Sequence, residues 1–133
     1  MLPRILLDTH VAIRWLIDSK KLSKAQLRAV ESAVRRAEPL ALSAVSLLEI
    51  AILVGERRLR LNCPLDEFLA AMRDNPAFCI LPLTYEVAAQ AGNFSLLRDP
   101  ADRAIAATAQ VHRLHLATSD QRIVDSRLVP VIE

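Results

Sequence analysis

Four acidic side chains stand where a folded chain could turn them on one target: Asp8, Glu49, Asp102 and Asp120. Asp8 closes the apolar run Ile5-Leu6-Leu7, the pattern of a strand buried on both faces. A carboxylate just past such a strand lies where open α/β sheets bind their ligands. Asp120 follows His115-Leu116-Ala117-Thr118 in the same way. Glu49 is the only ionisable group in an otherwise apolar segment, roughly Ala44 to Val54. A lone carboxylate there needs a compensating partner. Asp102 falls in the first turn of a helix opened by Asp99-Pro100, where the ionised form of an acid is favoured. Each acid also has a local explanation: Asp8, Asp99 and Asp120 as helix N-caps, Glu49 as half of an arginine ion pair. Taken together they suggest a site. Four carboxylates in one cleft repel one another unless a divalent cation neutralises them. An all-oxygen set suits Mg²⁺ or Mn²⁺. The chemistry that follows is activation of water and in-line displacement at a phosphodiester.

The elements that must position these acids can be read from apolar spacing and punctuation. After the first strand an amphipathic helix carries Val11, Trp15 and Leu16, and Lys20-Lys21 interrupts it. Ser23-Lys24-Ala25-Gln26 has the form of a capping box before Leu27, Val30, Val34 and Ala37 at helical spacing. Leu40-Ala41-Leu42 reads as a strand, with Ser43 or Ser46 placed to cap the next helix. That helix, lacking a polar face, is predicted to be buried all round and to end at Gly55. Pro64 to Met72 is a short helix, Phe78 to Leu81 a strand, and Thr84 caps a helix ending at Gly92-Asn93. An alanine-rich helix runs from Asp99-Pro100 to about His112, His115 to Thr118 is a strand, and Leu128 to Ile132 is an edge strand that tolerates Pro130. Strands alternate with helices throughout, which predicts a parallel sheet with helices on both faces and one domain over residues 1–133.

Composition removes several alternatives. The chain has 133 residues, 53% hydrophobic, with positive mean hydropathy, enough for a packed core and unlike a disordered chain. Two glycines in all argue against a phosphate-cradling glycine loop. No apolar run approaches the ~20 residues that span a bilayer, so no membrane association is expected. Pro3 and Arg4 interrupt the N-terminus before any long apolar region, so no secretory leader is expected either. Cys63 and Cys79 lie far from each other and from histidine at ligand spacing, which predicts reduced, packed thiols in a cytoplasmic protein and no zinc. The net charge is +2, and only Lys20, Lys21 and Lys24 of the 17 basic residues are lysine. Arginine is the cation suited to bidentate contact with carboxylate or phosphate.

The ordered set Leu6-Leu7-Asp8-Thr9-His10, Ser43 to Ala51, Arg98-Asp99-Pro100-Ala101-Asp102-Arg103 and Leu116-Ala117-Thr118-Ser119-Asp120 resembles the PIN domain, specifically the VapC-type toxins of bacterial toxin–antitoxin pairs. The likeness covers essentially the whole chain. It implies a PIN-like (Rossmann-like) three-layer α/β/α fold with a short, mainly parallel sheet of four to five strands. It further implies a metal-dependent endoribonuclease, usually a homodimer, held in check by a VapB-type antitoxin. On that resemblance Asp8, Glu49, Asp102 and Asp120 match the acidic quartet, with Asp99 as an additional acid. Asp8 and Asp102 would hold the metal, Glu49 would bind metal or position water, and Asp120 would complete the site. The chain departs from the branch it most resembles in carrying Leu48, Leu97 and Ala101 at three flanking positions.

Other residues receive secondary roles. Thr9 and Ser119 are candidates to hydrogen-bond a carboxylate or a metal-bound water, or to act as local caps. Arg98 and Arg103, with Arg57, Arg58 and Arg60, are candidates to touch RNA phosphates, and Arg103 is expected to pair with a nearby acid. His10, His112 and His115 read as structural or surface residues, and Trp15 as core or interface. With five aromatics in the chain a base-stacking platform has little support, which leaves RNA shape or single-stranded loops as the feature recognised. Covalent catalysis by Asp8, as in aspartyl-phosphate phosphatases or dehalogenases, is disfavoured because His10 stands where those enzymes resemble one another in a second aspartate. The remaining alternative is a PIN-like scaffold that binds RNA or a protein partner without cutting.

Overall fold

The computed structural model describes residues 1–133. Five strands, β1 (Ile5–Leu7), β2 (Leu40–Ser43), β3 (Phe78–Leu81), β4 (His115–Ala117) and β5 (Val131–Ile132), form one sheet in the order β3-β2-β1-β4-β5. Every pairing is parallel, with Leu6 opposite Ala41 on one side and Leu116 on the other. The strand that carries Asp8 is therefore central, as its unbroken apolar run required.

Alternation along the strands divides the core into two. Ile5, Leu7, Leu40 and Leu42 face one side, where they meet Val11 of α1 (Thr9–Ile17), Val30 of α2 (Lys24–Arg35), Ile50 of α3 (Ala44–Gly55) and Met72 of α4 (Leu65–Asp74). Leu6, Ala41 and Leu116 face the other, against Val87 of α5 (Tyr85–Gly92), Ile105, Ala106 and Ala109 of α6 (Pro100–His112) and Ile123 of α7 (Gln121–Ser126). The result is the three-layer α/β/α arrangement, with helices on both faces of a two-sided sheet. Small side chains let α6 lie close on the sheet: Ala104 to Ala109 are all buried. Trp15 belongs to the first core, edge-on to Phe78 with ring centroids 5.6 Å apart.

Capping sets the helix starts. Ser23 and Gln26 make the reciprocal capping box, Ser43 accepts from the Val45 amide, and Thr84 accepts from the Val87 amide. At the amino-terminal end of the central strands, opposite the acids, the buried Glu38 accepts from Arg36 at 2.7 Å and faces Arg4 at 3.4 Å. No helix is long and apolar enough to cross a membrane.

Three expectations fail locally. Helix α3 is not buried all round: only Ser46 and Ile50 are, while Leu48 is 59% and Ile52 48% exposed. An apolar sequence has no polar stripe to mark an outward face, so periodicity could not reveal the one left open. The carboxyl-terminal edge strand shrinks to two residues beyond Pro130, whereas α3 ends at Gly55 as expected. Cys63 is exposed rather than packed, and neither cysteine is in a disulfide.

Candidate active site

The sheet's central strands deliver their side chains to one end. Asp8 follows β1, Ser43 ends β2, and Thr118, Ser119 and Asp120 follow β4. Asp99 and Asp102 arrive there on the first turn of α6, and Glu49 on the second turn of α3. Asp8, Glu49, Asp99, Asp102 and Asp120 thus line a single open cleft of about 250 Å³, together with Thr9, His10, Ile13, Leu53 and Arg122.

Three of the aspartates cap helices and line the cleft at once. Asp8 Oδ1 accepts the Thr9 amide at 2.8 Å and caps α1. Its Oδ2 accepts the Thr118 hydroxyl at 2.7 Å. Asp99 caps α6 through the Ala101 and Asp102 amides, both on Oδ1. Asp120 caps α7 through the Arg122 amide at 3.0 Å. Asp102 receives no capping amide, and its nearest cation is Arg122 at 3.8 Å.

Glu49 is held by Thr9, whose hydroxyl donates to Glu49 Oε1 and lies 2.8 Å from the Ser46 hydroxyl oxygen. Thr9 therefore joins the first strand–helix junction to α3. Ser119 does not act in that manner: its hydroxyl accepts from Gln26 Nε2 at 3.0 Å, behind the cleft. Arg103 also departs from expectation. Its Nε donates to the Leu97 carbonyl, and no carboxylate pairs with it. Arg98 is exposed on the flank, in a recess shared with Asp99, Asp102 and Arg122.

The pairing arginine is Arg122. It grips Asp120 with Nε at 3.2 Å and a terminal nitrogen at 3.0 Å. Sequence reading passed it over because position two of a six-residue helix carries no pattern; its proximity to Asp120 was the available signal. Thr118 was missed for a related reason, since a threonine closing a strand has an ordinary β-propensity explanation. His10 is not merely structural: its Nδ1 is 3.4 Å from Asp8 Oδ2, and its Nε2 accepts the Ser119 amide at 2.9 Å.

The charges interact as a crowded set. Burial, then Asp99, Asp120 and Asp8, push the Asp102 carboxyl up to about 7. Burial raises Glu49 too, opposed by the Thr9 hydrogen bond and reinforced by Asp8 and Asp99. Arg122 holds Asp120 below the usual carboxylate range. Burial lowers His10, against the pull of Asp8. No three Asp, Glu, His or Cys side chains stand close enough together to hold a metal ion as they are placed here. The donor set nonetheless fits a hard dication: it is all oxygen, open to solvent on one side, and short of positive charge. Uncompensated repulsion keeps such carboxylates apart, and Arg122 draws two of them to itself.

This fold, with acids at the carboxyl ends of its central strands, defines a class. Residues 5–126 match the family model described as PIN domain, and the chain belongs to that family. Among individual relatives, it is 34% identical over 123 residues to Ribonuclease VapC22 of Mycobacterium tuberculosis, covering 92% of each chain. Among solved structures it resembles FitAcB from Neisseria gonorrhoeae, with a TM-score of 0.70, 26% identity and 97% and 96% of the two chains covered. VapBC2 from Rickettsia felis, solved bound to a DNA fragment from the pair's promoter, shares the fold with a TM-score of 0.69 at 14% identity, over 98% and 97% of the chains.

Proposed function

We propose that this chain is a divalent-metal-dependent endoribonuclease, the toxin of a toxin–antitoxin pair. The observation that carries the proposal is the convergence of five acids on one cleft, where burial and then the neighbouring acids raise Asp102. The ribonuclease name of the Mycobacterium tuberculosis relative supports RNA as the substrate. In this reading residues 1–133 act as one PIN domain, and Asp8, Glu49, Asp99, Asp102 and Asp120 would hold the cation, Mg²⁺ or Mn²⁺. A bound dication would supply Lewis acidity toward a phosphodiester and lower the pKa of an attacking water.

The chain's own residues do the rest. Thr118 and the Thr9 amide orient Asp8 from two sides. Thr9 restrains Glu49, whose pKa burial raises above that of an ordinary glutamate, the direction that favours a proton-carrying role. Arg122 and Arg98, exposed at the rim, are placed to meet phosphate oxygens of the RNA. Arg57, Arg58 and Arg60 extend that positive edge beyond α3.

A second groove of about 610 Å³ adjoins the cleft along α3, lined by Leu48, Ile52, Leu83 and Pro100, and shares Glu49 and Asp99 with it. That exposed apolar lining supports the expectation that the toxin works as a homodimer and is neutralised by a VapB-type antitoxin. RNA substrate and reduced thiols both accord with the cytoplasm as its compartment. The test is cleavage of mixed single-stranded and structured RNAs with Mg²⁺ or Mn²⁺, with and without chelator. Wild-type protein is expected to cut only with metal, and Asp8→Asn to lose cutting by at least 100-fold while keeping its circular dichroism spectrum. Undiminished cleavage by Asp8→Asn defeats the assignment. Tight RNA binding with no metal-stimulated cleavage would favour the scaffold reading.

A further inference from the structure

His10 bridges two of the elements that carry the acids. It sits on α1, yet its ring spans from Asp8, at the end of β1, to the Ser119 amide, one residue before Asp120. A backbone amide can only donate, so Nε2 at 2.9 Å from the Ser119 nitrogen must be the unprotonated, accepting nitrogen. The neutral ring therefore carries its proton on Nδ1, the nitrogen 3.4 Å from Asp8 Oδ2. The tautomer is dictated by a main-chain group that cannot reverse its polarity.

The consequence falls on Asp8. An ionised carboxylate has roughly four lone-pair directions. The Thr9 amide takes one on Oδ1 and the Thr118 hydroxyl one on Oδ2, while the protonated edge of His10 lies 3.4 Å from Oδ2 as an electrostatic contact rather than a hydrogen bond. Asp8 is 4% exposed, so water does not compete freely for its oxygens.

We propose that His10 is a positioning residue of the cleavage site: held as the Nδ1–H tautomer by the Ser119 amide, it sets its N–H dipole against Asp8 Oδ2 and fixes the Asp120 loop relative to β1. This rests on Asp8 being a cation ligand, as proposed above. Groups that hold a ligand from behind typically contribute 10–100-fold to metal affinity, and His10 meets that description toward both Asp8 and the Asp120 loop.

Three variants separate its two contacts. His10→Asn can keep an N–H near the Nδ1 position, His10→Gln can keep a polar group near Nε2, and His10→Ala keeps neither. Mn²⁺ binding by the full chain is measured by calorimetry and electron paramagnetic resonance, alongside melting curves and RNA cleavage. The expected result is an about tenfold or greater loss of Mn²⁺ affinity in His10→Ala and His10→Gln, with His10→Asn binding several-fold more tightly than either and all three melting close together. In metal-free wild type, ¹⁵N-histidine spectra should show a protonated Nδ1 and an unprotonated Nε2. Equal Mn²⁺ affinity in all four proteins, affinities that merely follow the melting temperatures, or a protonated Nε2 overturns the proposal. If wild type shows this Mn²⁺ pattern yet cuts no RNA, the positioning role stands and the ribonuclease reading fails. If wild type cuts RNA and His10→Ala matches it in rate and Mn²⁺ dependence, the ribonuclease reading stands and the positioning role falls. A wild type that binds no Mn²⁺ defeats both.

Discussion

Replacing Thr118 with valine keeps the shape of a completely buried side chain and deletes only its hydroxyl. That hydroxyl donates to Asp8 Oδ2 at 2.7 Å and accepts the Asp120 amide at 3.0 Å. A hydrogen bond to a charged group contributes about 1.5–3 kcal/mol, and a neutral one about 1 kcal/mol. The amide is partly exposed and can turn to water, so most of the loss lies on the Asp8 side, and Thr118→Val should cost about 2–4 kcal/mol. For a chain of this size that is a fall in Tm of about 3–5 °C per kcal/mol, or some ~6–20 °C. Urea denaturation of metal-free protein at pH 7.5 measures it, and the slope with urea should not change. Thr118→Ser keeps the hydroxyl and deletes one methyl, for about 1 kcal/mol. Mn²⁺ affinity should therefore hold in the serine variant and drop in the valine one. A valine variant as stable as the serine variant, with wild-type Mn²⁺ affinity, would refute the view that this hydroxyl orients Asp8.

Three further outcomes can be checked on the same protein. Arg122→Gln removes the cation lodged among Asp120 and Asp102, so Mn²⁺ should bind more tightly while KM for RNA rises; weaker Mn²⁺ binding would count against Arg122 as a competing charge. The Asp102 carboxyl, raised from 3.8 to about 7, binds a proton in the folded state that the unfolded chain has already released. Its contribution to stability is present below 3.8 and lost as pH climbs through about 7, so metal-free protein should lose Tm across that window. Added Mn²⁺ should accordingly stabilise more at pH 8 than at pH 5.5, and Asp102→Asn should flatten both trends. Glu38→Ala, at the amino-terminal end of the central strands, deletes a buried carboxylate and the Arg36 and Arg4 contacts it makes. It should lower stability by about 1–3 kcal/mol in urea denaturation and leave Mn²⁺ affinity unchanged.

Much of the fold was legible because its signals were redundant. Ile5-Leu6-Leu7 could only be a doubly covered strand, and its central place followed once helices alternated with strands. Asp99-Pro100 and Ser23 to Gln26 marked helix starts by capping chemistry alone. The site was legible only as a set. Asp8, Asp99 and Asp120 each cap a helix, so any one of them is fully explained locally, and spacing cannot say which caps also line a cleft. Long-range partners were out of reach for a plainer reason. Thr118 lies 110 positions from Asp8 and Ser119 lies 109 from His10, distances across which no periodicity carries information. Ser119 and Thr118 differ by one residue along a strand end, so one hydroxyl faces Asp8 and the other Gln26. The open face of α3 was hidden because burial against a neighbour and exposure toward a partner call for the same apolar residues.

The proposed activity requires that these carboxylates together hold one hard cation. Titration of Mn²⁺ into metal-free protein, followed by the loss of the free-ion paramagnetic resonance signal, measures that directly. Saturable binding to wild type, abolished in Asp8→Asn and Asp102→Asn and reversed by excess Mg²⁺, is the expected result. Equal binding by all three proteins, or none by wild type at neutral pH, would contradict it.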